Sequence, residues 1–190
     1  MVEETGLRII GGKFKGRRLR AVRGTRTRPT SDRTREAIFN IITSEVRNTR
    51  VLDLFAGTGA LGLEALSRGA QSAVFIDISR QSLSVLQENL AGLSLESPNR
   101  VIRWDLTKNL NCLLSMPQAF DLVFLDPPYN KNLIIPVLNH LRISQSLANS
   151  ARIIVEHSQR EPFEPDRLAF EFVDQRRYGK TLVSFLNYVV

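Results

Sequence analysis

Apolar positions in this chain come in two kinds. Some form short continuous runs, and others recur at helical spacing. Residues 51–55, 73–76 and 120–125 are runs of the length and content of buried strands, and 100–103 and 151–156 read as two further strands. Between them, Leu63 and Leu66, then Leu83, Leu86 and Leu90, and then residues 133–141 carry helical spacing. Ahead of the first run, Ala37, Ile38, Ile41, Ile42 and Val46 share one face of a helix opened by Thr30, Ser31 and Asp32. Arg33 and Arg35 lie off that face and are expected on the surface. Residues 170–177 and 181–189 read as an antiparallel hairpin at a sheet edge, with 161–165 as a linker before it. Strands alternating with helices predict an α/β fold, a doubly wound and mostly parallel sheet. At the N-terminus, Arg8-Ile9-Ile10 and residues 14–19 flank Gly11-Gly12, which predicts two short strands around a glycine turn.

Charge changes this picture at one end only. The chain carries a net +7. Residues 7–35 hold eleven basic side chains against the single acid Asp32, a net of +10, so the remainder is at −3. Such asymmetry points to a polyanion, most often a nucleic acid. No long apolar helical face accompanies the charge, which argues against a membrane surface. Lys13, Lys15, Arg17, Arg18, Arg28 and Arg33 are the candidate phosphate contacts. Residues 1–28 form a basic hairpin and arm in this reading, and 29–190 the main domain. The arm holds little that a core needs.

Other features narrow the class by exclusion. No apolar run reaches the ~20 residues that span a membrane, and residues 1–6 lack the layout of a signal peptide. Cys112 is the only cysteine, and His140 and His157 stand alone. The expectation is a cytoplasmic protein that uses no metal.

Candidate chemistry gathers at the ends of the strand runs. Gly57 and Gly59 follow the first run, where a glycine turn lets a ligand lie against the backbone. Asp77 ends the second run, twenty positions after Gly57. There an acid binds ribose hydroxyls in nucleotide-binding units, and the competing role is a cap on the helix near Ser79. Asp105 follows the third run, placed to accept from an adenine amine or to cap a helix through Leu110 and Leu113. Asp126-Pro127-Pro128-Tyr129 follows the fourth. Proline fixes the backbone there and leaves the Asp126 carboxylate and the Pro127 carbonyl as acceptors, which suits an amino group with two N–H donors. Tyr129 offers a stacking face. Glu156 and His157 end the fifth run; either could face the site, and solvation of a loop is the expected role.

Taken together, these motifs resemble the class I S-adenosylmethionine-dependent amino-methyltransferases. Arg8-Ile9-Ile10-Gly11-Gly12-Lys13, Gly16-Arg17-Arg18-Leu19, Arg28-Pro29-Thr30 and Asp53-Leu54-Phe55-Ala56-Gly57-Thr58-Gly59 make the resemblance narrower. They look like the bacterial 16S ribosomal RNA guanine-N2 methyltransferases of the RsmD type, and Tyr178-Gly179-Lys180-Thr181 is similar too. The resemblance implies a seven-stranded Rossmann-like sheet. It implies methyl transfer from S-adenosylmethionine to the exocyclic amine of one guanine in 16S rRNA, within an assembling small subunit. Asp53, Gly57, Gly59, Asp77 and Asp105 would serve the cofactor, and Asp126, Pro127 and Tyr129 the target base. A monomer is the default. Three alternatives share parts of the pattern. One is a DNA adenine or cytosine amino-methyltransferase, another an inactive RNA-binding assembly factor, and the third a dinucleotide-dependent oxidoreductase.

Overall fold

The computed structural model describes residues 6–22, 31–95, 98–116 and 119–190. Its elements run α1 (Asp32–Ile41), β1 (Arg50–Leu54), α2 (Ala60–Ser67), β2 (Ser72–Asp77), α3 (Arg80–Gly92), β3 (Arg100–Arg103), β4 (Phe120–Leu125), α4 (Ile134–Ser144), β5 (Leu147–Ser158), β6 (Phe170–Tyr178) and β7 (Thr181–Tyr188). The expected helix through Leu110 and Leu113 is only a 3₁₀ turn, Asn111–Leu113.

One seven-stranded sheet has the order β3-β2-β1-β4-β5-β7-β6. Pairing is parallel from β3 to β5, and β7 runs antiparallel to both β5 and β6. Burial of β1, β2 and β4 on both faces explains their continuous apolar runs. Alternation within each run then divides the side chains between two cores. Val51, Ala73, Phe75, Leu122 and Phe124 join the core under α1, α2 and α3. Leu52, Leu54, Val74, Ile76, Val123 and Leu125 join the one under α4. Strand order reverses between β1 and β4, and the crevice beyond that switch is where open α/β sheets bind ligands. Among the described residues, no helix is long and apolar enough to cross a membrane.

α1 departs from the expected face. Ser31 caps it, accepting from the Thr34 N–H at 3.1 Å. Ile38, Phe39, Ile42 and Val46 are fully buried, but Ile41 is exposed and Arg35 is buried completely. Arg35 therefore adds nothing to the basic surface. It turns inward because carboxylates are waiting there: its Nη2 donates to Asp32 Oδ1 at 3.0 Å, and its Nε lies 3.8 Å from Glu64 Oε2. Nη2 also donates to the Arg8 carbonyl at 2.5 Å. Burial lowers the Arg35 pKa, and Glu64 and Asp32 oppose that shift.

The N-terminal segment is hairpin-shaped with a short ladder: the Ile9, Gly16 and Leu19 N–H groups donate to the Arg17, Ile9 and Leu7 carbonyls at 3.0, 2.8 and 2.9 Å. Arg8 and Arg18 form an isolated antiparallel bridge in place of the two expected strands. Leu7, Ile9 and Leu19 are buried in the core beneath α1 and α2, so this segment does carry what a core needs. Glu64 of α2, itself fully buried, accepts the N–H groups of Ile10 and Gly11 at 2.7 and 2.8 Å and Arg68 Nε at 2.7 Å. Ser67 closes the turn, its carbonyl accepting from Lys13 N–H at 2.7 Å and its Oγ from Phe14 N–H at 2.9 Å. The boundary expected at residue 28, like Arg28 itself, falls outside the described residues.

Candidate active site

The turn between β1 and α2 is held from two sides by carboxylates. Asp77 ends β2, and its Oδ2 accepts the Gly57 N–H at 2.8 Å while Oδ1 accepts the Ser79 N–H at 2.7 Å. Each oxygen keeps a lone pair for another donor. Ser79, not Asp77, caps α3, accepting from the Ser82 N–H at 3.2 Å. Asp53 lies beneath the turn. It is buried, and its Oδ2 accepts the Gly62 N–H at 2.9 Å in the first turn of α2. Burial pushes its pKa up to about 7, the Gly62 hydrogen bond opposes this, and Asp77 adds to it. Gly59 packs against the Leu86 methyl, while the Cα of Gly57 faces open space. That open ledge, with an acid beside it, accommodates a ligand lying on the backbone.

Beyond Asp77 a cleft of about 370 Å³ is lined by Ile78, Arg103, Trp104, Asp105, Lys108 and Asn109. Asp105 Oδ1 accepts from the Thr107 N–H at 3.1 Å and from its hydroxyl at 2.6 Å. The Thr107 hydroxyl bond is the main reason its pKa is lowered. Trp104 is fixed by its indole N–H, which donates to the Asn109 carbonyl at 3.0 Å. Ile78 is more than half exposed at the cleft edge. An apolar side chain, a fixed indole and a carboxylate suit a purine ring with an exocyclic amine. Sequence reasoning missed Ile78, and its position just after the β2 acid was the available signal. Together, ledge, acid and cleft fit an adenosine-bearing cofactor such as S-adenosylmethionine.

The opposite wall is built at the end of β4. Asp126 is half-buried, and its N–H points at the Leu54 carbonyl at the end of β1, 3.4 Å away. This puts Asp126 beside the glycine turn. Pro127 is buried and Pro128 exposed. The Tyr129 hydroxyl donates to Glu156 Oε1 at 2.7 Å. A phenol has one proton, so the Thr181 hydroxyl, 3.1 Å away, donates to the phenol oxygen. Burial, then the Glu156 carboxylate, push the Tyr129 pKa up. The following loop is held by Glu161, which accepts the N–H groups of Asn130 at 2.5 Å and Asn132 at 2.7 Å.

Glu156, His157 and Glu161 thus depart from the loop and linker roles expected of them. All three are buried. His157 Nδ1 lies 3.2 Å from the Ser158 carbonyl and 3.1 Å from that of Glu161, so it carries the proton. Nε2 then accepts from the Ser184 hydroxyl at 2.9 Å, and burial lowers the histidine pKa. His157 braces the loop. Nothing local in the sequence marks Glu161, because its partners are thirty residues away.

Of the candidate phosphate contacts, Lys13, Lys15, Arg17, Arg18 and Arg33 are exposed. Lys13 Nζ lies 5.2 Å from the Phe14 ring centroid, and Arg17 donates to the Gly92 carbonyl at 2.9 Å. The hairpin ends next to the glycine turn. Asn89 Oδ1 accepts the Arg20 N–H at 2.8 Å, and Nδ2 donates to the carbonyls of Arg20 and Thr58, both at 3.1 Å.

Comparison with known proteins matches this arrangement. Residues 7–187 match the family described as Conserved hypothetical protein 95. The Escherichia coli K12 ribosomal RNA small subunit methyltransferase D is 39% identical over 150 residues, covering 79% of this chain and 74% of that protein. Its Haemophilus influenzae namesake is 35% identical over 159 residues, covering 82% and 81%. Among solved structures, the E. coli methyltransferase yhhF superposes with a TM-score of 0.83 at 31% identity, over 96% of this chain and 98% of that one. With residues 7–187 matched and the sheet, glycine turn and Asp-Pro-Pro-Tyr wall in place, the chain belongs to the RsmD-type family of class I S-adenosylmethionine-dependent methyltransferases.

Proposed function

We propose that this protein transfers the methyl group of S-adenosylmethionine to the exocyclic N2 amine of a guanine in 16S rRNA of an assembling small subunit. The observation that carries the reading is the position of Asp126. It stands at the end of β4, across the topological switch from the glycine turn, where a target amine and a cofactor on the Gly57 ledge meet. The ribosomal RNA methyltransferase names of the relatives support the substrate class.

Bound S-adenosylmethionine supplies an electrophilic methyl. Asp77 takes the ribose hydroxyls, Asp105 the adenine amine, and the backbone at Gly57 and Gly59 the methionine portion, with Asp53 holding the turn from below. An exocyclic base nitrogen is a weak nucleophile because its lone pair is delocalised into the ring. The Asp126 carboxylate and the Pro127 carbonyl accept its two N–H groups, turn its lone pair outward and stabilise the positive charge that develops on it. Tyr129 stacks on the base once it has left its helix. Residues 1–28, with Arg33, supply the phosphate contacts. Within them Lys13, Lys15, Arg17 and Arg18 sit on the docked hairpin, and Arg28 follows it in sequence.

The test is transfer of labelled methyl from S-adenosylmethionine to small-subunit particles and their RNA, with the modified nucleotide mapped. The expected product is one N2-methylguanine. Asp126→Ala should cut single-turnover rates on the order of a hundredfold or more, with cofactor affinity by calorimetry unchanged. Methylation of duplex DNA in preference to RNA, or no transfer at all, would overturn the reading.

A further inference from the structure

We propose that Glu156 and Thr181 are positioning residues that set the Tyr129 ring as the wall of the target-base pocket, so that the C-terminal β-hairpin is part of the reaction site. This rests on the function proposed above and goes beyond it. Tyr129 is 39% exposed, on a loop just past two prolines. An aromatic ring so placed would ordinarily sample several rotamers. Here its hydroxyl is held twice, by a carboxylate at 2.7 Å and by a threonine hydroxyl at 3.1 Å.

The two anchors come from different parts of the sheet. Glu156 is near the end of β5 and only 6% exposed, and Thr181 is the first residue of β7. The ladder pairs Glu156 with Val183 and His157 with Leu182, which fixes how far the β6–β7 turn reaches past β5. Gln159 fastens the turn itself, donating from Nε2 to the Gly179 carbonyl at 2.7 Å. A nearly buried carboxylate held on a strand, aimed at an exposed phenol, orders the ring before any base arrives. The entropy of fixing it is then spent in folding and not in binding.

The test compares Tyr129→Phe, Thr181→Val, Glu156→Gln and Glu156→Leu in the full chain, on small-subunit particles lacking the methyl group. Tyr129→Phe removes only the hydroxyl from a part-exposed ring, so folding is not at risk. It should lower the single-turnover rate at saturating RNA by about 3- to 10-fold, the fold-change of one or two missing hydrogen bonds. Affinity for S-adenosylhomocysteine should not move. Thr181→Val should act in the same direction, and the double variant should be no slower than Tyr129→Phe. Glu156→Gln keeps an acceptor and should retain activity near wild type, whereas Glu156→Leu should match Tyr129→Phe. Wild-type rates in folded Tyr129→Phe, or independent multiplying losses in the double variant, would overturn the proposal. If the wild type transfers no methyl, the proposed function fails, and the anchor is read from the free protein by NMR. A slowly exchanging Tyr129 hydroxyl proton that Glu156→Leu abolishes supports it, and a rapidly exchanging one in the wild type overturns it.

Discussion

This protein carries two hairpins that are attached in opposite ways. The C-terminal one, β6 and β7, joins by a ladder, with seven register pairs between β5 and β7. The N-terminal one has a short ladder of its own and joins mainly through side chains of the helices beneath it. Glu64, Ser67 and Asn89 accept backbone N–H groups that a neighbouring strand would otherwise have taken. A ladder spreads its stabilisation over many pairs. A buried carboxylate concentrates it in one residue, so the two hairpins should respond very differently to single substitutions.

The largest difference is expected at Glu64. Glu64→Ala removes the acceptor of the Ile10 and Gly11 N–H groups and leaves Arg35, fully buried, without one of its two carboxylates. Removing one partner of a buried pair costs about 3–5 kcal/mol, measured as a drop in the urea midpoint. The Arg35 Nε and Nη1 atoms are already without hydrogen-bond partners among the described residues, so little is available to compensate. Replacing both members, as Arg35→Met with Glu64→Leu, should recover only the part that comes from the unpaired Arg35, because the Ile10 and Gly11 N–H groups still lack their acceptor. If Glu64→Ala costs less than ~1 kcal/mol, the hairpin is fastened mainly by Leu7, Ile9 and Leu19.

A smaller contrast is expected at the two turn glycines. Gly12 has φ +75° and Gly179 φ +64°, a region that side chains other than glycine rarely occupy. A methyl at Gly12 would stand 1.9 Å from the Ser67 carbonyl oxygen, while one at Gly179 would meet open space. Gly179→Ala should therefore cost only the backbone strain, about 1–2 kcal/mol. Gly12→Ala adds displacement of the hairpin from α2, for roughly 2–4 kcal/mol in all. Equal thermal shifts in the two variants would mean that the N-terminal turn is not seated on α2.

The same contrast explains what was legible in the sequence. Strands β1, β2, β4 and β5 and the final hairpin were readable because burial on two faces writes continuous apolar runs, and a ladder needs local strand pattern on both sides. The acids at strand ends were readable because spacing from the glycine turn is itself a local signal. Arg35 and Glu64 were not. Each looks like an ordinary charged helix residue, and only the meeting of α1 with α2 makes them interior. Ile41 was misplaced for the same reason: the helix rotated to seat Phe39 and Arg35 at the cost of an isoleucine. Glu156, Glu161 and Thr181 act across 27 to 52 positions of sequence on the Asp-Pro-Pro-Tyr loop, beyond the reach of any periodicity.

The finest distinction concerns charge rather than stability. The proposed RNA contacts lie on the N-terminal hairpin, at Lys13, Lys15, Arg17 and Arg18, whereas Arg176, which pairs with Asp174 at 2.8 Å, lies on the edge strand β6. Arg17→Ala with Arg18→Ala removes exposed charge and the Arg17 contact with the Gly92 carbonyl, while leaving Leu19, Ile9 and the Glu64 hydrogen bonds in place. Binding of small-subunit RNA should weaken. The slope of log affinity against log salt should become shallower by about 0.7–0.9 for each phosphate that is no longer neutralised. Arg176→Ala should leave that slope where it was, because β6 is the far edge strand of the sheet, away from β1 and β2 and the helices that hold the N-terminal hairpin. Melting curves accompany both, since a hairpin that has come off its helices would lower affinity for reasons unrelated to phosphate. Equal slope changes at the two ends would mean that RNA runs over both hairpins. No change at Arg17 and Arg18, in a folded protein, would remove the N-terminal hairpin from the RNA path and leave its buried carboxylate as a purely structural device.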